Sequence, residues 1–276
     1  MSRSAGRSRA LVIARTDLRQ LRQARDFWVP LAVIAGLFFV VIPAALLTII
    51  THVSDVRLVQ QLSSVVGSLP KQLRANVKGD SAPAQASYAL AVYLFAPLAI
   101  IVPLTVSSAV GANTVIGERE RGSGEFLAHS PASEREIYLG KLIASLVPGY
   151  LTAAVGFGLY SLVVNLTVGP QVGGWFFPTT NWWILVVWVL PPFIALALAV
   201  ILAISAKVSS AAAAQQASAL VTLPLVLVAY TVASGTLFRT EAAAFAIGAL
   251  AWLGAGLALS RGSRAVRRER LLGMGG

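Results

Sequence analysis

Gly117-Glu118-Arg119-Glu120-Arg121-Gly122-Ser123-Gly124-Glu125-Phe126-Leu127 separates two apolar runs, Tyr88–Ile116 and Leu142–Val168. Each run is long enough to cross a bilayer, which takes about 20 apolar residues. A charged segment between them marks a chain that leaves the membrane and returns. The charge continues through His129-Ser130-Pro131-Ala132-Ser133-Glu134-Arg135-Glu136 and stops at Gly140-Lys141. Ser133 and Glu136 have the spacing of a capping box, so a helix is expected to start after Ser133. Pro131 opposes helix just ahead of it. Gly122 and Gly124 loosen the chain after the charged turn. The expected order is helix, break, capped helix.

Outward from this segment lie four more apolar runs: Phe27–Ile50, Trp182–Ala206, Ala212–Val232 and Ala242–Leu259. The reading is an all-α, polytopic membrane protein with six transmembrane helices. Of 276 residues, 57% are hydrophobic and only 12% charged, against about 25% charged in soluble domains. Mean hydropathy is +0.75. Pro43, Pro97, Pro103, Pro148, Pro191, Pro192 and Pro224 fall inside the runs, where a membrane bundle tolerates them. The first run is too long for a cleavable signal, whose apolar core is about 7–15 residues.

The net charge is +11, and its distribution sets the orientation. With the N-terminus in the cytoplasm, 17 of the 22 basic residues lie inside; Arg57, Lys71, Arg74, Lys78 and Arg239 lie outside. This is the positive-inside pattern, and six spans put both termini on that side. The expected location is the inner (plasma) membrane. Basic residues flanking apolar runs meet lipid headgroups, and no basic module with interleaved aromatics points to nucleic acid. Trp28, Trp175, Trp182, Trp183 and Trp188 suit an interfacial belt; a ligand-binding aromatic cage is the sharper alternative.

Besides the inner segment 117–141 and the short loops, three regions lie outside the six spans of 27–260. Residues 1–26 form an amphipathic arm, with Leu11, Ala14, Leu18, Leu21 and Trp28 at helical steps and Arg15, Arg19, Arg22 and Arg25 on the other faces. It is expected to lie on the inner membrane surface as an anchor. The outer segment, 51–87, carries a stripe of Leu58, Val59, Leu62, Val65, Val66 and Leu69 stopped by Pro70. It suits packing at the outer surface or capping a cavity mouth. The tail, 261–276, is basic.

Much chemistry is excluded. There is no cysteine, hence no disulfide, thiolate metal site or thiol nucleophile. His52 and His129 lie in different flanks, so no histidine metal cluster is expected. The span cores lack Asp, Glu, His and Lys, which disfavours ion coupling through buried carboxylates and membrane protease chemistry. No G-x-x-x-x-G-K-[ST] phosphate cradle is present: Gly140-Lys141 is followed by Leu142. If ATP powers this protein, another polypeptide binds it.

The stretch from Glu118 to Leu127, followed by Ser130-Pro131-Ala132-Ser133-Glu134-Arg135-Glu136-Ile137 and Gly140-Lys141, resembles the inner loop of type-2 ATP-binding-cassette (ABC) export permeases. Ile13-Ala14-Arg15-Thr16-Asp17-Leu18 before the first span and Ala214-Gln215-Gln216-Ala217-Ser218 opening the fifth fit the same family. Ser123 stands where the family usually has Thr, and Ala128-His129 replaces a more aliphatic pair. The outside loop before the sixth span is also short.

The resemblance implies a permease subunit that moves cargo outward. Glu118, Arg119, Glu120, Arg121, Gly122 and Glu125 would form the gate and coupling helix. Phe126, Leu127, Pro131 and Ser133 would contact the ATP-binding subunit. ATP and Mg would reside in that partner, with no cofactor or metal in this chain. Two permease subunits, alike or related, would pair, with spans one, two and five walling the path. Two rival classes remain: a scaffold or sensor subunit of an ATPase complex without transport, and a membrane-embedded enzyme built on Ser, Thr, Asn and Tyr.

Overall fold

The computed structural model describes residues 3–52, 55–120, 130–205, 208, 210–231 and 237–262, and those residues form helices and connections without a strand. Helix α1 (Arg3–Gln23) ends at Ala24, and span 1 begins at once as α2 (Arg25–Gly36), a wide π turn (Leu37–Val41) and α3 (Ile42–Thr51). Helices α4 (Val56–Ser68) and α5 (Lys71–Arg74) cap one end of the bundle. Span 2 is α6 (Ala82–Ala89), a π turn (Leu90–Leu94) and α7 (Leu98–Glu120). Span 3 lies within the single helix α8 (Glu134–Thr167), whose first two turns precede the apolar run that starts at Leu142. Span 4 is α9 (Thr180–Trp183), a π turn (Ile184–Val189) and α10 (Leu190–Ser205). Helices α11 (Ala211–Thr231) and α12 (Glu241–Gly262) follow.

Five of these rods are long and apolar enough to cross a membrane. The expected fifth span, α11, has a shorter apolar stretch, Ala212–Val228. The outer stripe forms α4 as expected, started by Asp55, whose carboxylate accepts from Arg57 N at 2.8 Å. Span 2 starts six residues before Tyr88, because Ser81 caps the helix and Pro83 fits its first turn.

The π turns occur where proline demands room. A proline ring clashes with the carbonyl four residues earlier and brings no N–H. For Pro43, Pro97, Pro191 and Pro192 those carbonyls belong to Phe39, Tyr93, Val187 and Trp188, all within π turns. At Pro97 the helix breaks outright over Phe95–Pro97. A π-type bond from the Val92 carbonyl would need the N–H of residue 97, which proline lacks. The Trp182 indole donates to Val92 O instead, at 2.9 Å, and the Tyr160 hydroxyl donates to Ala91 O at 2.6 Å.

This corrects one expectation: Trp182 is not in an interfacial belt but 1% exposed in the core, held there by the carbonyl it serves. Phe157, Tyr160 and Phe177 surround it. Trp175 and Trp183, at 68% and 52% exposed, stay on the surface.

Spans 2 and 4 form the centre: 72% of the most apolar stretch of each is buried, against 17% in span 1 and 22% in α12. Helix α7 packs on α8, α10 and α11, while α10 also packs on α12. Buried polar links fix the register. Ser205 Oγ donates to Ala112 O at 2.8 Å. Asn165 accepts from the N–H groups of Phe176 and Phe177 at 3.0 Å and donates to Phe177 O at 2.6 Å.

Candidate functional site

Helix α7 runs into the charged segment, and α8 starts after it, behind the non-helical residues Ser130–Ser133. Helix α7 continues through Glu118, Arg119 and Glu120, so these three occupy its last turn. Their side chains, and all of Arg121, Gly122, Glu125, Phe126 and Leu127, lie outside the described residues. The described half begins at Ser130. Pro131 and Ser133 are exposed there, with Ala132 buried between them.

The capping box forms. Ser133 Oγ accepts from Glu136 N at 3.3 Å, and Glu136 Oε2 accepts from Ser133 N at 2.6 Å. These bonds satisfy donors that a helix start leaves open. The Ser133 backbone N–H on its carboxylate holds Glu136 below the usual glutamate pKa, helped by the Ser133 side chain and the Arg9 charge against a smaller opposing effect of burial.

Helix α1 lies against this start at three levels. Arg9 Nη1 donates to Pro131 O at 2.9 Å. Gly140 faces the Ile13 side chain and the Ala10 carbonyl so closely that an added Cβ would stand 2.8 and 2.9 Å from them. Lys141 Nζ stands 3.8 Å from Asp17 Oδ2, with the two side chains only 1% and 15% exposed. An ammonium removed from water needs a nearby opposite charge, and Asp17 supplies it.

The inward face of α1 therefore differs from the expected apolar stripe. Ala10 and Ala14 are buried and Ile13 packs on the core, whereas Leu11 and Val12 are 58% and 63% exposed. Ala10 and Ile13 stand opposite Gly140, whose missing side chain lets the helix axes approach. Trp28 belongs to the next helix, beyond the break at Ala24. Sequence reading placed Asp17 in the arm but gave neither its pairing nor the depth of Lys141. The available signal was that Asp17 is the sole acid on the arginine-rich α1.

A second feature is a groove of about 350 Å³ between α7 and α11, lined by Thr105, Ser108, Ser218 and Thr222 among apolar neighbours such as Ile101 and Leu223. Thr222 Oγ1 lies 3.0 Å from Ser108 Oγ and 2.7 Å from Ser218 O. Such a surface can offer hydroxyls to an otherwise apolar molecule. Among the described residues no three His, Asp or Glu side chains gather where a metal could sit.

A bundle of helices long and apolar enough to cross a bilayer defines the class: a multi-pass helical membrane protein. The chain belongs to the ABC-2 transporter family, whose model, described as "ABC-2 family transporter protein", matches residues 11–270. Permeases of this family normally work with an ATP-binding subunit. No curated protein matches the chain.

Proposed function

We propose that this chain is the membrane subunit of an ABC exporter, driven by ATP hydrolysed on separate subunits. The charged junction and both termini face the cytoplasm, and α11 completes a six-span bundle. Two permease subunits pair, identical or related. The ATP-binding subunit docks at Phe126–Ser133, and Glu118–Glu125 passes its motion to α7. The groove between α7 and α11 is one wall of the path, and its hydroxyls among aliphatic side chains suit an amphipathic cargo.

The observation that carries this reading is the fastening of the segment after Pro131 to α1. Arg9, Gly140 and Lys141 hold it at successive levels. Force applied at the loop then reaches α8 and α1 together rather than dissipating in a free turn. Charged side chains dominate the loop, so Phe126 and Leu127 are its candidate apolar anchors. Phe126→Asp is expected to release the ATPase during detergent purification while the helical bundle stays in the membrane. Retention of the ATPase at wild-type stoichiometry would exclude Phe126 as the anchor. A complex that hydrolyses ATP yet moves no cargo into inverted vesicles would favour a sensor subunit.

A further inference from the structure

A second groove, on a different face from the hydroxyl-lined one, runs between span 1 and α8. Its volume is about 320 Å³, and its walls include Leu31, Ala35 and Gly36 on one side and Leu151, Val155 and Leu159 on the other. The polar groups in its lining are few. Thr152 already donates its hydroxyl to Pro148 O at 2.9 Å. Gly156 lies against the Phe39 ring and closes the floor, while a Cβ on Gly36 would meet nothing within 4 Å. Leu151 to Leu159 covers about 12 Å of helix axis, within the roughly 15 Å depth of half a hydrocarbon core. The shape and chemistry are those of a slot for one acyl chain.

The end of α1 adds charge selection. Arg15, Arg19 and Arg22 are exposed beside the exposed Leu11 and Val12, while Asp17, the one acid on α1, is turned inward to Lys141. The outward face thus keeps cationic and apolar groups with no acid, the composition that binds an anionic membrane surface. Only Ala24 separates α1 from α2, where Trp28 lines the groove.

We propose that the groove between span 1 and α8 holds an acyl chain of a resident anionic phospholipid whose headgroup lies on the arginine face of α1. The lipid is a fixed part of the subunit rather than its cargo. It fills the slot beside Gly36 and ties α1 to the membrane from outside, as the Asp17–Lys141 pair ties it to the bundle from inside. The proposal does not rest on the exporter reading, since binding is measured on this chain alone.

The test is native mass spectrometry of the full chain, extracted in mild detergent from vesicles of equal parts phosphatidylcholine and phosphatidylglycerol. One phosphatidylglycerol per chain is expected to survive in preference to phosphatidylcholine. Arg15→Gln/Arg19→Gln/Arg22→Gln should lower that preference by about fivefold per arginine. Gly36→Leu should abolish retention of either lipid by filling the slot. Gly158→Leu, also in open space but outside the groove, should retain lipid like the wild type. Equal retention of both lipids by the wild type, or unchanged retention by Gly36→Leu, would overturn the proposal. Release of the lipid on adding ATP to the complex with its ATPase would identify it as cargo and equally overturn it.

Discussion

At the scale of single residues, the charged groups after Pro131 divide into one local device and one remote one. Ser133 and Glu136 were legible as a cap because both partners lie within one helical turn. The Asp17–Lys141 pair was not, because nothing in a sequence period joins residues on two separate helices. Removing one member of a buried pair leaves the other charge uncompensated, at a cost of about 3–5 kcal/mol. Asp17 keeps 15% exposure, which places the expected cost of Lys141→Met at about 3 kcal/mol. Thermal denaturation in detergent should show a lowered midpoint, largely restored in Asp17→Leu/Lys141→Met. A single variant as stable as the wild type would show the pair to be inert. Glu136 gives a pH test. Its pKa is lowered in the fold, so its stabilisation is complete above the unfolded value of about 4.3 and is lost as pH falls through the lower folded value. Hydrogen-exchange protection of the first turn of α8 should hold from pH 8 to 5 and fall below about pH 4. Glu136→Gln should flatten that profile.

At the scale of elements, proline and glycine shape the helices more than apolar length does. The apolar runs placed the rods because bilayer crossing demands them. They could not place the π turns, which depend on where the i−4 carbonyl of each proline falls, or the inward turn of Trp182, which depends on a carbonyl on another span. The seam between α7 and α8 is set by Gly149. A Cβ there would overlap the Ser107 hydroxyl and stand 2.7 Å from the Pro103 carbonyl oxygen, which is backbone and cannot rotate away. Gly149→Ala should therefore cost about 3 kcal/mol or more, as overpacking of a rigid seam does, and lower the yield of folded protein. The Ser107 hydroxyl is buried without a hydrogen-bond partner among the described residues. Ser107→Ala alone should be neutral or mildly stabilising, and should only partly rescue Gly149→Ala because Pro103 remains in the way. Full tolerance of Gly149→Ala, read by size-exclusion profile and melting midpoint, would mean that α7 and α8 can separate at low cost.

At the scale of the whole molecule, the order of burial could not be read from the sequence. In lipid the outside of a bundle is as apolar as its core, so hydropathy alone gave span 1 and span 2 the same character. Spans 2 and 4 become central because small residues and buried hydroxyls, such as Ser205 on the Ala112 carbonyl, let neighbours approach them from several sides. Charge carries the complementary information, because it marks the ends of the bundle and not its middle. Helix α1 and the capped start of α8 sit together at one end, and α4 lies beyond the opposite end of span 1. The proposed orientation rests on the 17-to-5 division of basic residues, which predicts α4 outside and the junction in the cytoplasm. The chain has no native cysteine, so one introduced thiol reports its own side without background. Ser64 is exposed on α4, and Ser64→Cys should react with a membrane-impermeant maleimide in intact cells. A cysteine at Ser133, beside the proposed docking segment, should react only after the membrane is opened. The reverse pattern would place the ATPase-facing loop on the wrong side of the membrane, where no ATP-driven coupling through it is possible.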